Sequence, residues 1–230
     1  FTSTTDVLPS GCGDEEPEPK ELAFPENALK EGYASSKVVG ERLVAEAMEL
    51  GLEAAIIRLG FVGGDSVTGY CNARDVLCRL LIGFAHTKAF PEVTQQTLIK
   101  FLPADIASTA LVQVVHSNFV GCAHLTTGTP ELLLVDLRQM LSEMGSPFGE
   151  LAVVPFSVWM DLAELDGAMS VWPVIGWAKG RDEFPFYNSR RVRPKRILSI
   201  LDDKTRARMA STHEDLRDTL HKMVKYLWHA

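Results

Sequence analysis

The sequence predicts an α/β fold with a parallel sheet, and three observations carry that expectation. An amphipathic helical run over residues 33–50 leads directly into a continuous apolar segment, Glu53-Ala54-Ala55-Ile56-Ile57-Arg58-Leu59-Gly60-Phe61-Val62, the type found in strands covered on both faces. A second helical run over 104–115 leads into Gly121-Cys122-Ala123-His124-Leu125-Thr126-Thr127, which repeats the helix-then-strand order of a βα unit. The chain has 230 residues, 46% of them hydrophobic, enough to bury a substantial core as one domain or one domain with a lobe.

The elements follow in order. Residues 1–8 read as a strand end running into a loop, because Pro9, Gly11, Gly13, Pro17, Pro19 and Pro25 prevent regular structure after it. Over 33–50, Val39, Leu43, Val44, Ala47 and Met48 recur at helical spacing and predict the buried face, with Gly51 as terminator. Helices are expected over 75–85, 104–115 and 133–144, the last closed by Gly145. Beyond that point a short strand at 151–155 precedes mostly helical segments at 157–169 and 202–228, which read as a lobe more than a sheet.

Charge and cysteine usage narrow the class. A net charge of −7 argues against general affinity for nucleic acid, which needs a positive surface to displace counterions. Five cations in Arg190-Arg191-Val192-Arg193-Pro194-Lys195-Arg196 are the local exception, read as a solvated loop, with docking of an acidic partner as the alternative. Cys12, Cys71, Cys78 and Cys122 form no Cys-x-x-Cys pair and read as reduced core thiols, which suits a cytoplasmic protein. No metal site is expected; His213-Glu214-Asp215-Leu216-Arg217 lacks the second histidine of a zinc-protease helix and reads as a helix start. Apolar runs such as 132–135 and 76–84 are far short of the roughly 20 residues that span a bilayer, so no membrane partner is expected. The opening Phe1-Thr2-Ser3-Thr4-Thr5-Asp6 has no basic flank and reads as a strand cut from something longer, not as a secretory leader.

The chemistry-bearing feature is Gly32-Tyr33-Ala34-Ser35-Ser36-Lys37. A tyrosine and a lysine four residues apart share a helix face, so the ammonium sits beside the phenol. The phenol's ordinary pKa of roughly 10 falls when a cation stabilises the phenolate, which prepares it for proton transfer. A hydroxyl from Ser3-Thr4-Thr5, brought alongside by folding, would bond the same substrate oxygen.

Taken with its neighbours, the pair gains meaning. Ser3-Thr4-Thr5-Asp6-Val7, then Gly32-Tyr33-Ala34-Ser35-Ser36-Lys37, then Arg58-Leu59-Gly60-Phe61-Val62-Gly63-Gly64-Asp65-Ser66-Val67-Thr68-Gly69 resembles the extended short-chain dehydrogenase/reductase superfamily. The closest match is its thioester reductase branch, the terminal reductase domains of nonribosomal peptide and polyketide synthases and of carboxylic acid and aminoadipate reductases. The similarity continues through Asn72-Ala73-Arg74-Asp75-Val76-Leu77-Cys78-Arg79-Leu80-Leu81 and Leu102-Pro103-Ala104-Asp105-Ile106-Ala107, and covers the chain to about residue 158.

The resemblance implies the C-terminal part of a Rossmann-type doubly wound parallel sheet: residues 1–127, with part of a lobe at about 64–100, then a mostly helical substrate-binding lobe over 128–230. It implies a catalytic set of Thr4, Tyr33 and Lys37, with Ser3 and Thr5 as alternatives to Thr4, and a cofactor-binding set of Tyr33, Lys37, Leu59, Gly60, Phe61 and Val62. Lys37 would bind the nicotinamide ribose and tune Tyr33. The implied activity is reductive release of a thioester, held by a carrier protein's phosphopantetheine arm, as an aldehyde or alcohol, with NADPH as cofactor and NADH the alternative. Two readings stand beside it: an extended dehydrogenase or epimerase acting on a free small molecule, and a non-catalytic interaction module. The chain departs from the family pattern twice. Leu59 stands where proline is usual, and the glycine-rich phosphate loop is absent, since the nearest cluster, Gly11-Cys12-Gly13, is followed by acidic residues. The N-terminal half of the domain is therefore expected either on another polypeptide or to have been lost by proteolysis or left out of the sequence.

Overall fold

The computed structural model describes residues 1–8, 17, 19–22, 32–92, 98–99, 101–127, 132–165 and 192–229. Contacts divide the chain into two compact units, Phe1–Val62 with Ala104–Pro130 and Arg190–Ser211, and Gly63–Pro103 with Glu131–Ser189 and Thr212–Ala230.

The first unit is built on a three-stranded parallel sheet of β1 (Thr2–Thr4), β2 (Ala55–Leu59) and β5 (Gly121–Leu125), in that order. Parallel strands need long crossovers, and α1 (Gly32–Glu49) and α3 (Ala104–His116) occupy them. The expected α/β class with a parallel sheet is thus present. Ile56, Ile57, Cys122, Ala123 and Leu125 are buried, as continuous apolar strands require. A further apolar cluster gathers Val7, Leu8, Leu22, Val38 and Val192.

Three readings need correction in this unit. The stripe expected to bury α1 does not: Val39 is 45% and Leu43 61% exposed, and the helix turns Ala34, Val38 and Glu41 inward instead. Glu41 is held there by a buried arginine on β2, an attraction that the apolar period does not register. The basic run is also more than a solvated loop. Lys195 and Arg196 open a short helix, α6 (Lys195–Leu198), and Arg196 Nη1 donates to the Cys122 carbonyl at 3.0 Å; Arg190 and Arg191 lie outside the described residues. Finally, residues 192–211, expected in the lobe, pack with the sheet. Thr126 Oγ1 donates to the Val192 carbonyl at 2.9 Å, and Gln113 of α3 bonds Asp202 and Thr205 at the start of α7 (Asp203–Met209).

The second unit holds α2 (Val76–Thr87), α4 (Leu134–Glu143), α5 (Phe156–Leu165) and α8 (His213–His229). It also contains the parallel pair β3 (Ala89–Pro91) with β7 (Ala152–Val154) and the antiparallel pair β4 (Leu98–Ile99) with β6 (Leu132–Leu133). Strands β3, β4 and β6 are two or three residues long, too short to leave a period in the sequence. Trp159 is fully buried among Phe84, at 5.6 Å between ring centroids, and Phe156, at 6.3 Å, so it is a core residue. Trp228 packs edge-on against Phe148, while Trp172 and Trp177 lie outside the described residues. The helix start read at His213 is a capping box, in which Thr212 Oγ1 accepts from Asp215 N–H and the Asp215 carboxylate accepts from Thr212 N–H at 2.6 Å.

The glycine turn between residues 63 and 69 belongs to this unit and serves as a fastener. Asp65 Oδ1 accepts from the backbone of Val67 and Thr68 and from the Thr68 hydroxyl, closing the turn. Gly69 has φ of +74°, and a Cβ there would lie 2.2 Å from the Lys222 carbonyl carbon of α8. Lys222 Nζ returns a hydrogen bond to the Ser66 carbonyl at 2.8 Å. Gly69→Ala is therefore expected to lower stability by about 2–4 kcal/mol, from backbone strain plus overpacking. Urea unfolding monitored by tryptophan fluorescence would measure it, and a midpoint equal to that of the unaltered chain would contradict this account.

Candidate functional site

The site is organised by strand register. Thr4 of β1 lies opposite Leu59 of β2, and Leu59 lies opposite Leu125 of β5, so all three stand at one level on the carboxyl ends of parallel strands. Ligands of open α/β sheets bind outside those ends. Thr4 and the start of the segment that follows Leu59 are thus neighbours.

Side-chain direction separates the three candidate hydroxyls. Thr4 ends β1 and caps the short 3-10 turn Thr5–Val7, its Oγ1 accepting from Asp6 N–H at 3.2 Å. That bond occupies a lone pair and leaves the Thr4 O–H as a donor. Ser3 is buried and, by strand alternation, faces the opposite side of the sheet, in register with Arg58 and His124. Thr5 lies within the turn.

Tyr33 and Lys37 occupy the first turns of α1. The Lys37 ammonium lies 5.9 Å from the centre of the Tyr33 ring and 5.5 Å from that of Phe1, and it donates to the Thr2 carbonyl at 3.0 Å. The ammonium thus lies by both aromatic rings, and its third contact ties the helix to β1 two residues before Thr4. One bond of the three that an ammonium can donate is used there. Tyr33 itself is 61% exposed.

Leu59, Gly60, Phe61 and Val62 leave the end of β2 half-buried. Gly60 N–H donates to the Leu125 carbonyl at 3.0 Å, extending the sheet pairing by one residue. A Cβ on Gly60 would come within 3.0 Å of Thr126 Cγ2, so glycine lets this segment lie against the end of β5.

Sequence reasoning passed over the group beneath these residues. Arg58, one position before Leu59, and Glu41 of α1 are both fully buried and joined as a fork: Nε to Oε1 at 2.9 Å and Nη2 to Oε2 at 2.7 Å. Arg58 Nη1 also donates to the Pro17 carbonyl at 2.8 Å. The available signal was an arginine inside an apolar strand, since such a cation stays buried only with a carboxylate and further hydrogen bonds.

Comparison with known proteins now bears on this arrangement. Residues 4–111 match the model of an NAD-binding family described as male sterility protein. The nonribosomal peptide synthetase asaC of Aspergillus flavus is 32% identical over 148 residues, 63% of this chain and 14% of the synthetase. The isonitrile lipopeptide synthase of Streptomyces coeruleorubidus is 32% identical over 215 residues, 87% of this chain and 14% of the synthase. The chain is thus similar to this NAD-binding family over residues 4–111 and to these synthetases over most of its own length. It spans only a small part of these curated relatives. The terminal R domain from the myxalamid PKS-NRPS pathway shares its fold, with a TM-score of 0.69 and 24% identity, over 100% of this chain and 57% of that one. The resemblance read from the Thr4, Tyr33 and Lys37 segments and the Leu59 turn is borne out at the level of family and fold. Among the described residues no helix is long and apolar enough to cross a membrane.

The capping geometry of Thr4 yields a direct test. Thr4→Val keeps the shape but removes the acceptor for Asp6 N–H, and is expected to cost about 1 kcal/mol, whereas Thr4→Ser keeps stability. Equal urea midpoints for the two variants would count against the cap.

Proposed function

We propose that this chain supplies the proton-transfer half of a nicotinamide-dependent reductase domain that releases an acyl or peptidyl thioester from a carrier protein as an aldehyde. The observation that carries the reading is the Lys37 ammonium, placed over the Tyr33 ring and bonded to β1 beside the strand ends that bear Thr4 and Leu59. The relatives that match include a nonribosomal peptide synthetase and an isonitrile lipopeptide synthase, which favours a carrier-bound substrate over a free one.

The residues present fit the ribose and nicotinamide end of the cofactor. Lys37 keeps two donor positions for ribose hydroxyls, and the half-buried Leu59–Val62 segment offers backbone groups at the carboxyl ends of the strands. When bound there, a reduced nicotinamide would be the source of the hydride that the thioester carbonyl carbon accepts. Tyr33 gives its phenolic proton to the carbonyl oxygen, Thr4 O–H bonds the same oxygen, and the Lys37 cation stabilises the phenolate that is left. The resulting hemithioacetal loses the C–S bond as its hydroxyl proton passes to sulfur, which gives aldehyde and free pantetheine thiol. A second reduction of the aldehyde would give alcohol.

NADPH is the proposed nucleotide, by likeness to the thioester reductase branch. The run Gly11-Cys12-Gly13 lies outside the described residues, and the phosphate-gripping glycine loop is proposed to lie on polypeptide that pairs with the edge of β1 away from β2. Soluble, cytoplasmic synthases are the proposed setting.

The test uses the chain joined to that N-terminal half, an acyl-pantetheine thioester and a panel of free aldehydes and ketones. NADPH oxidation with aldehyde formation from the thioester is expected, and Tyr33→Phe should lower kcat by about 10²–10⁴-fold. Turnover of free carbonyls alone would replace this reading with a dehydrogenase of small molecules. A complete domain that binds neither NADPH nor NADH would replace it with an interaction module.

A further inference from the structure

Helix α1 carries a nearly degenerate apolar pattern. Val38 is fully buried and Val39, the next residue and identical in shape, is 45% exposed. Rotating the helix by one residue, about 100°, would seat Val39 where Val38 sits and bring Leu43, now 61% exposed, toward the sheet. By apolar content alone that rotated seating is competitive, since the observed one buries Ala34, Val38 and a carboxylate. Something other than hydrophobic burial selects the observed face.

Resting on the function proposed above, we infer that the buried Glu41–Arg58 pair is a positioning device that selects the rotation of α1 and so sets Tyr33 and Lys37 against β1. The fork is bidentate and planar, which fixes direction as well as distance. Arg58 is itself anchored, in register with Ser3 on β1 and bonded to the Pro17 carbonyl. The rotated seating would exchange Glu41 for Arg42 opposite Arg58, replacing attraction by repulsion between two guanidinium groups. A buried polar residue that decides between competing registers is the best-attested use of such pairs. With a helix radius of about 2.3 Å, a 100° rotation moves the Lys37 Cα by about 3.5 Å. That breaks its bond to the Thr2 carbonyl, and displacements of about 1 Å already cost on the order of 100-fold in rate.

Neither residue touches the reacting atoms, so the test must separate position from folding. In the complete reductase domain, Glu41→Leu with Arg58→Leu replaces the pair by apolar groups, a change that commonly leaves stability unchanged or raised. Three measurements follow: the thermal midpoint, the ring-current shift of the Lys37 side-chain protons over Phe1 and Tyr33 by NMR, and kcat with a pantetheine thioester. The expected result is a folded protein without the Lys37 shift and with kcat lowered about 100-fold. Adding Val39→Ser and Leu43→Ser to the same protein makes the rival face polar and should restore both the shift and the rate. A purely structural pair gives no reason for that rescue.

Where the double variant does not fold, Glu41→Gln carries the question, because it keeps the shape and one donor-acceptor contact while removing the charge. Its Lys37 shift is expected to weaken in proportion to kcat. A folded variant lacking the pair yet retaining the Lys37 shift overturns the inference. The NMR readout decides the positioning role even where the unaltered domain fails to reduce thioesters, an outcome that would instead overturn the proposed function.

Discussion

A guanidinium inside a sheet face is tolerable only with its charge and donors matched, and Arg58 meets that condition with Glu41 and the Pro17 carbonyl. Removing one partner would strand the other in a medium that cannot solvate it, at a cost of about 3–5 kcal/mol. Replacing both is a different matter energetically, so the pair is weak evidence of stability and stronger evidence of specification. It joins the helix bearing Tyr33 and Lys37 to the strand that ends at Leu59, and the relative placement of those two segments depends on it.

Parallel pairing does the rest of the alignment. Because β1, β2 and β5 run the same way, their carboxyl ends fall on one edge, and the register sets Thr4, Leu59 and Leu125 side by side. Side-chain alternation then sends Thr4 and Ser3 to opposite faces. The hydroxyl beside the strand-end segment and the buried polar row of Ser3, Arg58 and His124 are two consequences of the same pleat. The acceptor bond from Asp6 N–H orients the Thr4 hydroxyl without consuming its proton.

The second unit shows how a family motif can be chiefly architectural. In the turn between residues 63 and 69, the carboxylate of Asp65 closes the loop, and the glycines admit α8 to near contact distance. Met223 Sδ lies 3.2 Å from Gly64 N, and the Tyr70 and Tyr226 rings pack at a tilt of 59°, 5.1 Å between centroids, so the helix is held at both points. The sequence run that helps mark the family therefore owes its glycines here to close packing against a helix distant in sequence.

By itself the sequence determined what is local. The four-residue spacing of Tyr33 and Lys37 follows from helix geometry, and the ammonium sits over the ring as that spacing dictates. The apolar runs around Ile56 and Cys122 became buried parallel strands, because an all-apolar strand needs cover on both faces. Tertiary structure decided what depends on partners far along the chain. It chose Val38 over Val39, a choice that two identical side chains leave open until Glu41 meets Arg58, 17 residues away. It assigned residues 192–211 to the sheet unit through bonds such as that from Arg196 to the Cys122 carbonyl, 74 residues distant. Periodicity reports how one element is amphipathic, whereas the energy that selects among its possible faces comes from contacts between elements, which a period does not encode.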